Sequence, residues 1–149
     1  MLAFEQSLPM LLYQTLDRVL PRFRAIFKQF GLTEPQWRVL RTLWEREHVA
    51  LSELAGVTLI PAPSLVGVVD RLSRDGLVER QRSATDRRVV WIQATPRGSA
   101  LEAQVRPLVD QVYAELEASV DPALWTQLLT ALKAFNREAG NSEQQPDAA

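Results

Sequence analysis

The stretch APSLVGVVDRLSRDGLVERQRSATDRRVVWIQA, residues 62–94, decides the fold that this sequence predicts. Its first part places apolar residues at helical spacing and predicts a helix from about Ser64 to Arg74. Asp75-Gly76 follows, and glycine supplies the left-handed conformation that commonly ends a helix. Two strand-like runs come next, Leu77 to Gln81 and Arg88 to Gln93, and the second is rich in β-branched and aromatic residues. The stretch therefore predicts a helix followed by a β-hairpin.

Helices are also predicted on the N-terminal side of this stretch. Apolar residues recur at three- and four-residue steps from Leu8 to Phe30, where Pro21 should kink or restart the helix. Thr33-Glu34-Pro35-Gln36 has the pattern of a capping box that opens a second helix. Leu51 to Val57 predicts a short third helix, and Pro63 suits the first position of the helix that follows.

Two more helices are predicted on the C-terminal side. Thr95-Pro96 and Asp121-Pro122 each place an N-cap residue before a proline, and an apolar helical stripe follows each pair. The fold class is therefore mainly α with a small β-hairpin wing. We expect three parts: a central domain at 32–95 that contains the hairpin, a helical region formed by 1–30 and 96–139, and a disordered tail at 140–149.

Composition excludes several classes of function. The chain has no cysteine and a single histidine, His48, so neither a thiolate site nor a histidine-built metal site is expected. His48 is interpreted as a loop residue. No stretch approaches the roughly 20 apolar residues that span a bilayer, and Met1 to Gln6 lacks the basic region of a secretion signal. We expect a soluble, cytoplasmic protein that is not an enzyme and binds neither metal nor cofactor.

Positive charge is concentrated in one part of a chain whose net charge is −1. Residues 71–97 contain seven arginines and three acidic side chains, whereas the remainder has ten basic and fifteen acidic ones. A basic segment in a weakly acidic protein suits local contact with a polyanion, although such a run is also common on solvated surfaces.

The two helices around Pro61 resemble a helix-turn-helix, in which the second helix enters the DNA major groove. Ser64, Gly67 and Arg71 lie at i, i+3 and i+7, opposite Leu65 and Leu72, so the exposed face carries small or hydrogen-bonding residues. An ordinary helical hairpin has the same pattern. The hairpin that follows favours DNA binding.

Arginines crowd the turn of that hairpin, at Arg82, Arg87 and Arg88. An arginine at such a tip suits the minor groove, where narrow A·T-rich DNA concentrates negative potential. The alternative is a surface turn in which Asp86 neutralises a neighbouring arginine. Helix, glycine cap and arginine-tipped hairpin together predict that 32–95 is a winged helix-turn-helix DNA-binding domain.

The terminal helices retain uncovered apolar stripes. These predict that 1–30 and 96–139 form a helical dimerisation region and that the protein is a homodimer; the alternative is a monomer whose end helices fold back.

Several motifs together resemble the multiple-antibiotic-resistance regulator (MarR) family. They are Leu32-Thr33 to Leu40, Glu53-Leu54-Ala55, Asp70-Arg71-Leu72 through Gly76-Leu77-Val78 and Arg80, Asp86-Arg87-Arg88, and Ala94-Thr95-Pro96-Arg97-Gly98. The resemblance implies a dimeric winged helix-turn-helix repressor of a pseudo-palindromic operator, released by a small, often aromatic, anionic ligand. It places the helix carrying Pro63, Ser64, Gly67, Arg71 and Arg74 in the major groove. It places the wing with Arg82, Arg87 and Arg88 in the adjacent minor groove.

A narrower resemblance concerns repressors of homoprotocatechuate degradation. Phe23-Arg24, the run Thr33-Glu34-Pro35-Gln36-Trp37-Arg38-Val39-Leu40-Arg41, Pro63-Ser64-Leu65 and Gly67 are similar to them. It implies repression of an aromatic-acid catabolism operon and an effector with an aromatic ring and a carboxylate. A buried carboxylate needs a charge-assisted donor. Arg38 is the first candidate for that donor and Arg24 the second, with Trp37 and Phe23 as walls, whereas Arg41 is interpreted as a surface pair with Glu45.

A second hypothesis is a protein-interaction adaptor that has the winged fold without sequence-specific DNA binding. Gly67 favours it, because this position is often polar or basic in the family that the chain resembles.

Overall fold

A computed structural model describes residues 3–143 of this chain. A 3-10 turn at Phe4–Gln6 precedes six helices and three strands within the described residues. They are, in order, α1 Leu8–Gln29, α2 Glu34–Glu45, β1 Val49–Ala50, α3 Leu51–Thr58, α4 Ala62–Arg74, β2 Val78–Arg82, β3 Val90–Ala94, α5 Pro96–Ala118 and α6 Pro122–Glu143. The predicted fold class, mainly helical with a small β-hairpin wing, is confirmed. The chain divides into two compact units after Val109, within α5.

The helix starts follow the capping signals in the sequence. Thr33 and Gln36 form the predicted capping box: Gln36 Oε1 accepts from Thr33 N at 2.8 Å, and Thr33 Oγ1 accepts from Gln36 N at 3.4 Å. Thr95 Oγ1 accepts from Gly98 N at 3.1 Å at the start of α5. Asp121 Oδ1 accepts from two backbone N–H groups at the start of α6. Each cap satisfies donors that the first helical turn leaves free.

Glycine ends α4 as predicted. Gly76 has φ +70°, and the N–H groups of Gly76 and Leu77 donate to the carbonyls of Ser73 and Leu72. These two bonds form a Schellman motif, which glycine adopts without a steric penalty from a β-carbon. The motif turns the chain directly from α4 into β2.

Several details differ from the prediction. Pro63 occupies the second rather than the first position of α4, because the helix already begins at Ala62. Of the two outcomes expected at Pro21, a kink or a restart, the restart does not occur, because Pro21 lies inside a continuous α1. Arg88 belongs to the turn rather than to β3, because its N–H donates to the Asp86 side chain instead of to a neighbouring strand. Helix α6 also includes residues 140–143, placed in the tail by the sequence pattern, whereas 144–149 lie outside the described residues.

The sheet has three antiparallel strands in the order β1-β3-β2. Strands β2 and β3 form the wing, with Arg80 opposite Ile92 and Arg82 opposite Val90. Strand β1 pairs Val49 with Ile92 on the other side of β3. This short strand was not predicted, because two residues carry no periodicity.

An apolar core formed by helices α2, α3 and α4 and the sheet supports these elements. Its fully buried side chains include Leu40, Leu54, Leu65, Leu72 and Ile92. The start of α5 is fixed to this core at Gly98, where an added β-carbon would lie only 2.0 Å from the Leu77 carbonyl oxygen. Trp44 Nε1 donates to the Gly98 carbonyl at 2.9 Å. Close packing of this kind holds the exposed faces of α4 and the wing in a fixed relation.

No individual helix among residues 3–143 is both long and apolar enough to cross a membrane; α3 and α4 reach that limit only when taken together, across a sharp bend.

Candidate functional site

Helices α3 and α4 form the predicted helix-turn-helix. The chain bends by 108° between them, within the roughly 90–120° that is typical of this motif. Leu59, in the turn, has φ +53° and an exposed side chain, whereas the flanking Thr58 and Ile60 are buried. Two buried anchors therefore fix the start of α4 relative to α3.

One face of α4 is exposed and nearly uncharged. Pro63, Ser64 and Arg71 are exposed, and Gly67 is partly exposed, while Leu65, Val68, Val69 and Leu72 on the other face are buried. The structure thus brings four predicted DNA-binding residues to one surface. A methyl group placed on Gly67 would meet no atom within 4 Å, so internal packing gives no reason for glycine here.

Arg74 lies at the opposite end of α4, ten residues or about 15 Å along the helix axis from Ser64. It lines a cavity of about 630 Å³ together with residues from the turn after α1 and the start of α5. Arg74 thus lies far from Ser64 along the helix but only one turn from Arg71, and its role in DNA binding stays a prediction.

The wing is fixed to α4 by an ion pair that the sequence analysis missed. Arg80 Nη2 of β2 lies 2.6 Å from Asp70 Oδ1 of α4. Both residues belong to the motif from Asp70 to Arg80 described above, but the sequence does not reveal which of its charged side chains form ion pairs. Since Arg80 is neutralised in this way, it orients the hairpin rather than adding free positive charge.

The tip of the wing is a structured turn. The Ser83 N–H donates to the Val89 carbonyl, and Ser83 Oγ accepts from the N–H groups of Thr85 and Asp86. Asp86 in turn accepts from Arg88 three times, from the guanidinium at 3.2 and 3.1 Å and from the backbone N–H at 3.0 Å. These hydrogen bonds hold the pKa of Asp86 below its usual value. Those from the Arg88 side chain make the larger contribution and the one from its backbone N–H the smaller.

Asp86 therefore does neutralise an arginine, as the alternative interpretation of the turn expected. The Arg88 side chain nevertheless remains 91% exposed, so the ion pair holds the guanidinium in place without covering it. Arg82 and Arg87 are exposed and have no carboxylate partner within residues 3–143, and the same holds for Arg71 on α4.

The two arginines proposed from sequence for an effector carboxylate share one carboxylate of the protein. Arg24 Nη2 lies 2.8 Å and Arg38 Nη2 3.3 Å from the two oxygens of Glu34, and Arg38 Nη1 donates to the Thr58 carbonyl at 2.9 Å. These side chains line a cavity of about 510 Å³ between α1 and α2. Glu34 faces the same cavity and would repel an added carboxylate.

Trp37 and Phe23 lie in an aromatic cluster rather than in that cavity. Trp37 stacks on Phe27 with ring centroids 4.7 Å apart and meets Trp44 edge-on at 5.3 Å, while Phe23 is buried against Phe27. The structure therefore does not gather the four predicted ligand residues around one cavity.

Arg41 shares the helix face of Trp37 and Trp44, because the three residues are four and three positions apart. Its guanidinium is 2.8 Å from Glu45, in the expected i, i+4 pair with both side chains about half exposed. Such a pair is worth only about 0.2–0.5 kcal/mol, so Arg41 is easily released. The spacing of Arg41 to two tryptophans is visible in the sequence, and it could have marked Arg41 as a candidate ligand-binding residue.

The described residues contain no group of three or more histidine, cysteine or acidic side chains able to hold a metal ion. His48 lies in the loop before β1, as interpreted, and contacts the ring of Trp91 edge-on at 4.8 Å.

Comparison with known proteins agrees with this architecture. A family model described as the MarR family matches residues 32–90. The homoprotocatechuate degradative operon repressor of Escherichia coli is 35% identical over 139 residues, which cover 93% of each chain. The resemblance to the MarR family and to such repressors is thereby confirmed.

Solved structures give the same result. The transcriptional regulator PA4135 has a TM-score of 0.83 and 30% identity, over 94% of this chain and 98% of that chain. NadR in complex with 4-hydroxyphenylacetate has a TM-score of 0.76 and 29% identity, over 91% and 96% of the two chains. Sequence, fold and relatives agree that this chain belongs to the MarR family of transcriptional regulators.

Proposed function

We propose that this protein is a cytoplasmic, homodimeric repressor of an aromatic-acid catabolism operon. It binds a pseudo-palindromic operator and is released by a small aromatic carboxylate. The similarity to a homoprotocatechuate degradative operon repressor supports the operon class, and the fold shared with NadR bound to 4-hydroxyphenylacetate supports the effector class.

One observation carries the DNA-binding part of the proposal: a rigid lobe presents an uncovered helix face beside a cationic turn. Pro63, Ser64, Gly67 and Arg71 are the proposed major-groove residues of α4. Arg82, Arg87 and Arg88 are the proposed contacts of the wing, and the guanidinium of Arg88 is held by Asp86. A helix about 10–12 Å wide fits a major groove of roughly 12 Å.

Selection of duplexes from a random library, followed by fluorescence anisotropy, tests this assignment. We expect an enriched sequence with two inverted half-sites, bound much more tightly than its scrambled version. Replacing Ser64 by alanine should change the preferred base at one position in each half-site, at about 1–3 kcal/mol for each base interaction removed. Equal affinity for the enriched and scrambled duplexes would instead support the adaptor hypothesis, which the small, uncharged Gly67 favours.

The proposed homodimer rests on uncovered apolar side chains of the terminal helices. Leu8, Leu11, Leu12 and Leu16 of α1 are exposed, as are Leu124, Leu128, Leu129 and Phe135 of α6. Patches of large apolar residues on this scale mark interaction surfaces. Analytical ultracentrifugation at micromolar concentration should show a dimer, and a monomer under these conditions would contradict the proposal.

For the effector, we propose that the ring lies against Trp37 and the carboxylate binds Arg41. Arg41 is paired with Glu45, which is more than half exposed. By contrast, the less exposed Glu34 binds both Arg38 and Arg24, and Arg38 also donates to the Thr58 carbonyl. The site predicted from sequence, with Arg38 and Arg24, remains the competing arrangement.

A pair of variants decides between these sites, with 4-hydroxyphenylacetate as the probe. In the wild type we expect the probe to weaken operator binding by about 5–150-fold, the usual range for allosteric coupling. Arg41→Ala should bind the operator normally but lose this response, and Arg38→Ala should retain it. The reverse result would place the carboxylate at Arg38. An unchanged response in both variants would rule out both sites.

A further inference from the structure

The cavity at the C-terminal end of α4 contains none of the residues that the proposed function assigns to DNA or effector contacts, although it shares Leu32 with the cavity between α1 and α2. It lies between the last turn of α4, the turn after α1 and the first turns of α5, with a volume of about 630 Å³. Its lining is mixed: polar atoms contribute more than half of it, the charged side chains are Arg74, Asp75 and Arg97, and the apolar side chains are Phe30, Leu32, Leu77, Ala100 and Leu101. This volume is within the roughly 300–1,000 Å³ of sites for small organic ligands.

The guanidinium groups of Arg74 and Arg97 are both able to bind an added carboxylate. Within residues 3–143, neither Arg74 nor Arg97 has an ion-pair or side-chain hydrogen-bond partner, although Asp75 lines the same cavity. In the cavity between α1 and α2, by contrast, Arg24 and Arg38 are both bound to Glu34. The two cavities thus differ in whether their arginines already form an ion pair with a carboxylate of the protein.

Arg97 lies against the end of α4, and it lines the same cavity as Arg74. A methyl group placed on Gly76 would lie 3.8 Å from Arg97 Nη1, so this guanidinium lies over the glycine that ends α4. Arg74 is two residues before that glycine. Helix α5 also begins here, and its N-terminal end carries the positive pole of the helix dipole.

We infer that this cavity is a second binding site, taking a small organic monoanion with an apolar body. Two arginines and one aspartate give the lining a formal charge of +1, which one carboxylate balances. The carboxylate lies between Arg74 and Arg97, and its apolar body lies against Phe30, Leu77 and Leu101. Arg74 therefore serves this cavity rather than DNA.

The test uses the full chain labelled with ¹⁵N-glycine and benzoate as the probe. The six glycines give few amide signals; carbonyl labelling of the preceding Phe30 and Asp75 assigns Gly31 and Gly76. We expect benzoate to shift these two signals along a saturating curve. Benzyl alcohol, which has the ring without the charge, should leave them in place.

Arg74→Ala and Arg97→Ala should each weaken benzoate binding about tenfold, as the loss of one charge-assisted hydrogen bond implies. Arg22→Ala, an exposed position on α1 with the same change in net charge, should behave like the wild type. The response should also persist in Arg41→Ala, which separates this cavity from the proposed effector site.

The inference fails if benzoate produces no saturating shift at Gly31 and Gly76. It also fails if benzyl alcohol acts equally, if both arginine variants bind like the wild type, or if Arg41→Ala abolishes the shifts. No DNA is present in this experiment, so its result is independent of the proposed repressor function.

Discussion

The exposed face of α4 and the tip of the wing differ in charge: the first is nearly uncharged and the second is rich in arginine. The α4 face begins with Pro63, Ser64 and Gly67 and has no charge until Arg71, whereas the wing carries Arg82, Arg87 and Arg88 around a single aspartate. Charge attracts any duplex, and a close uncharged face discriminates among sequences. Under the proposed function we therefore expect affinity to depend mainly on the wing and specificity mainly on α4, a division that the net charge of −1 does not reveal.

The largest effect is expected from removing charge at the wing. The double variant Arg87→Ala, Arg88→Ala should bind every duplex about 100-fold more weakly, because two charge-assisted hydrogen bonds to DNA are removed. The slope of log affinity against log salt should become shallower by about 0.9 for each phosphate that the wing no longer neutralises. Fluorescence anisotropy with the enriched and scrambled duplexes at several salt concentrations measures both quantities.

A matched control has the same charge change on another element. Lys133→Ala with Arg137→Ala, on α6, should leave affinity and slope unchanged. The wing variant should weaken binding to the enriched and the scrambled duplex equally. If it weakened mainly one of them, the assignment of affinity to the wing and specificity to α4 would be wrong.

An intermediate effect is expected at Gly67, where function and stability should move in opposite directions. Because the site has room for a methyl group, Gly67→Ala should raise the free energy of unfolding by about 0.5–1 kcal/mol. The same methyl group separates α4 from the groove, so affinity for the enriched duplex should fall about tenfold with little change for the scrambled one. Urea unfolding and anisotropy measure the two effects.

Gly56 provides the control, since it lies in α3 with equally open surroundings. Gly56→Ala should stabilise the fold by a similar amount and leave operator binding unaltered. If Gly67→Ala bound the operator as tightly as the wild type, the backbone of α4 would not approach the bases at this position.

The sequence predicts those parts of the molecule that depend on neighbours along the chain. The apolar face of α4, the capping box at Thr33 and the left-handed Gly76 all follow from residues within one or two turns. Strand β1 was missed because its stability comes from pairing with β3, some forty residues later.

The candidate site shows the same limit. The exposed face of α4 was predicted, because helical periodicity decides which side chains point outward. The partners of the arginines were not, because a long side chain meets whichever carboxylate the tertiary fold brings near. Glu34 thus holds both Arg24 and Arg38, and Asp70 holds Arg80 across the α4–β2 turn.

The smallest change in DNA affinity is expected from a substitution at Asp86, where the direction of the change is more informative than its size. Asp86→Asn retains an oxygen that can accept the Arg88 N–H but removes the carboxylate that orients the guanidinium. Charge alone predicts tighter binding, because the wing gains one net positive charge. Loss of orientation predicts weaker binding, because ordering a free arginine on DNA costs about 0.5–1.5 kcal/mol. We expect the second effect to be larger and affinity to fall about threefold, with the salt slope unchanged.

Glu79→Gln on β2 makes the same charge change without touching Arg88, and it should bind DNA at least as tightly as the wild type. Anisotropy of both variants on one duplex separates the two contributions. Tighter binding by Asp86→Asn would mean that Asp86 merely reduces the positive charge of the wing. Weaker binding beside an unaffected Glu79→Gln would mean that an ion pair with a largely exposed guanidinium prepares Arg88 for the minor groove, since its orientation is fixed before DNA arrives.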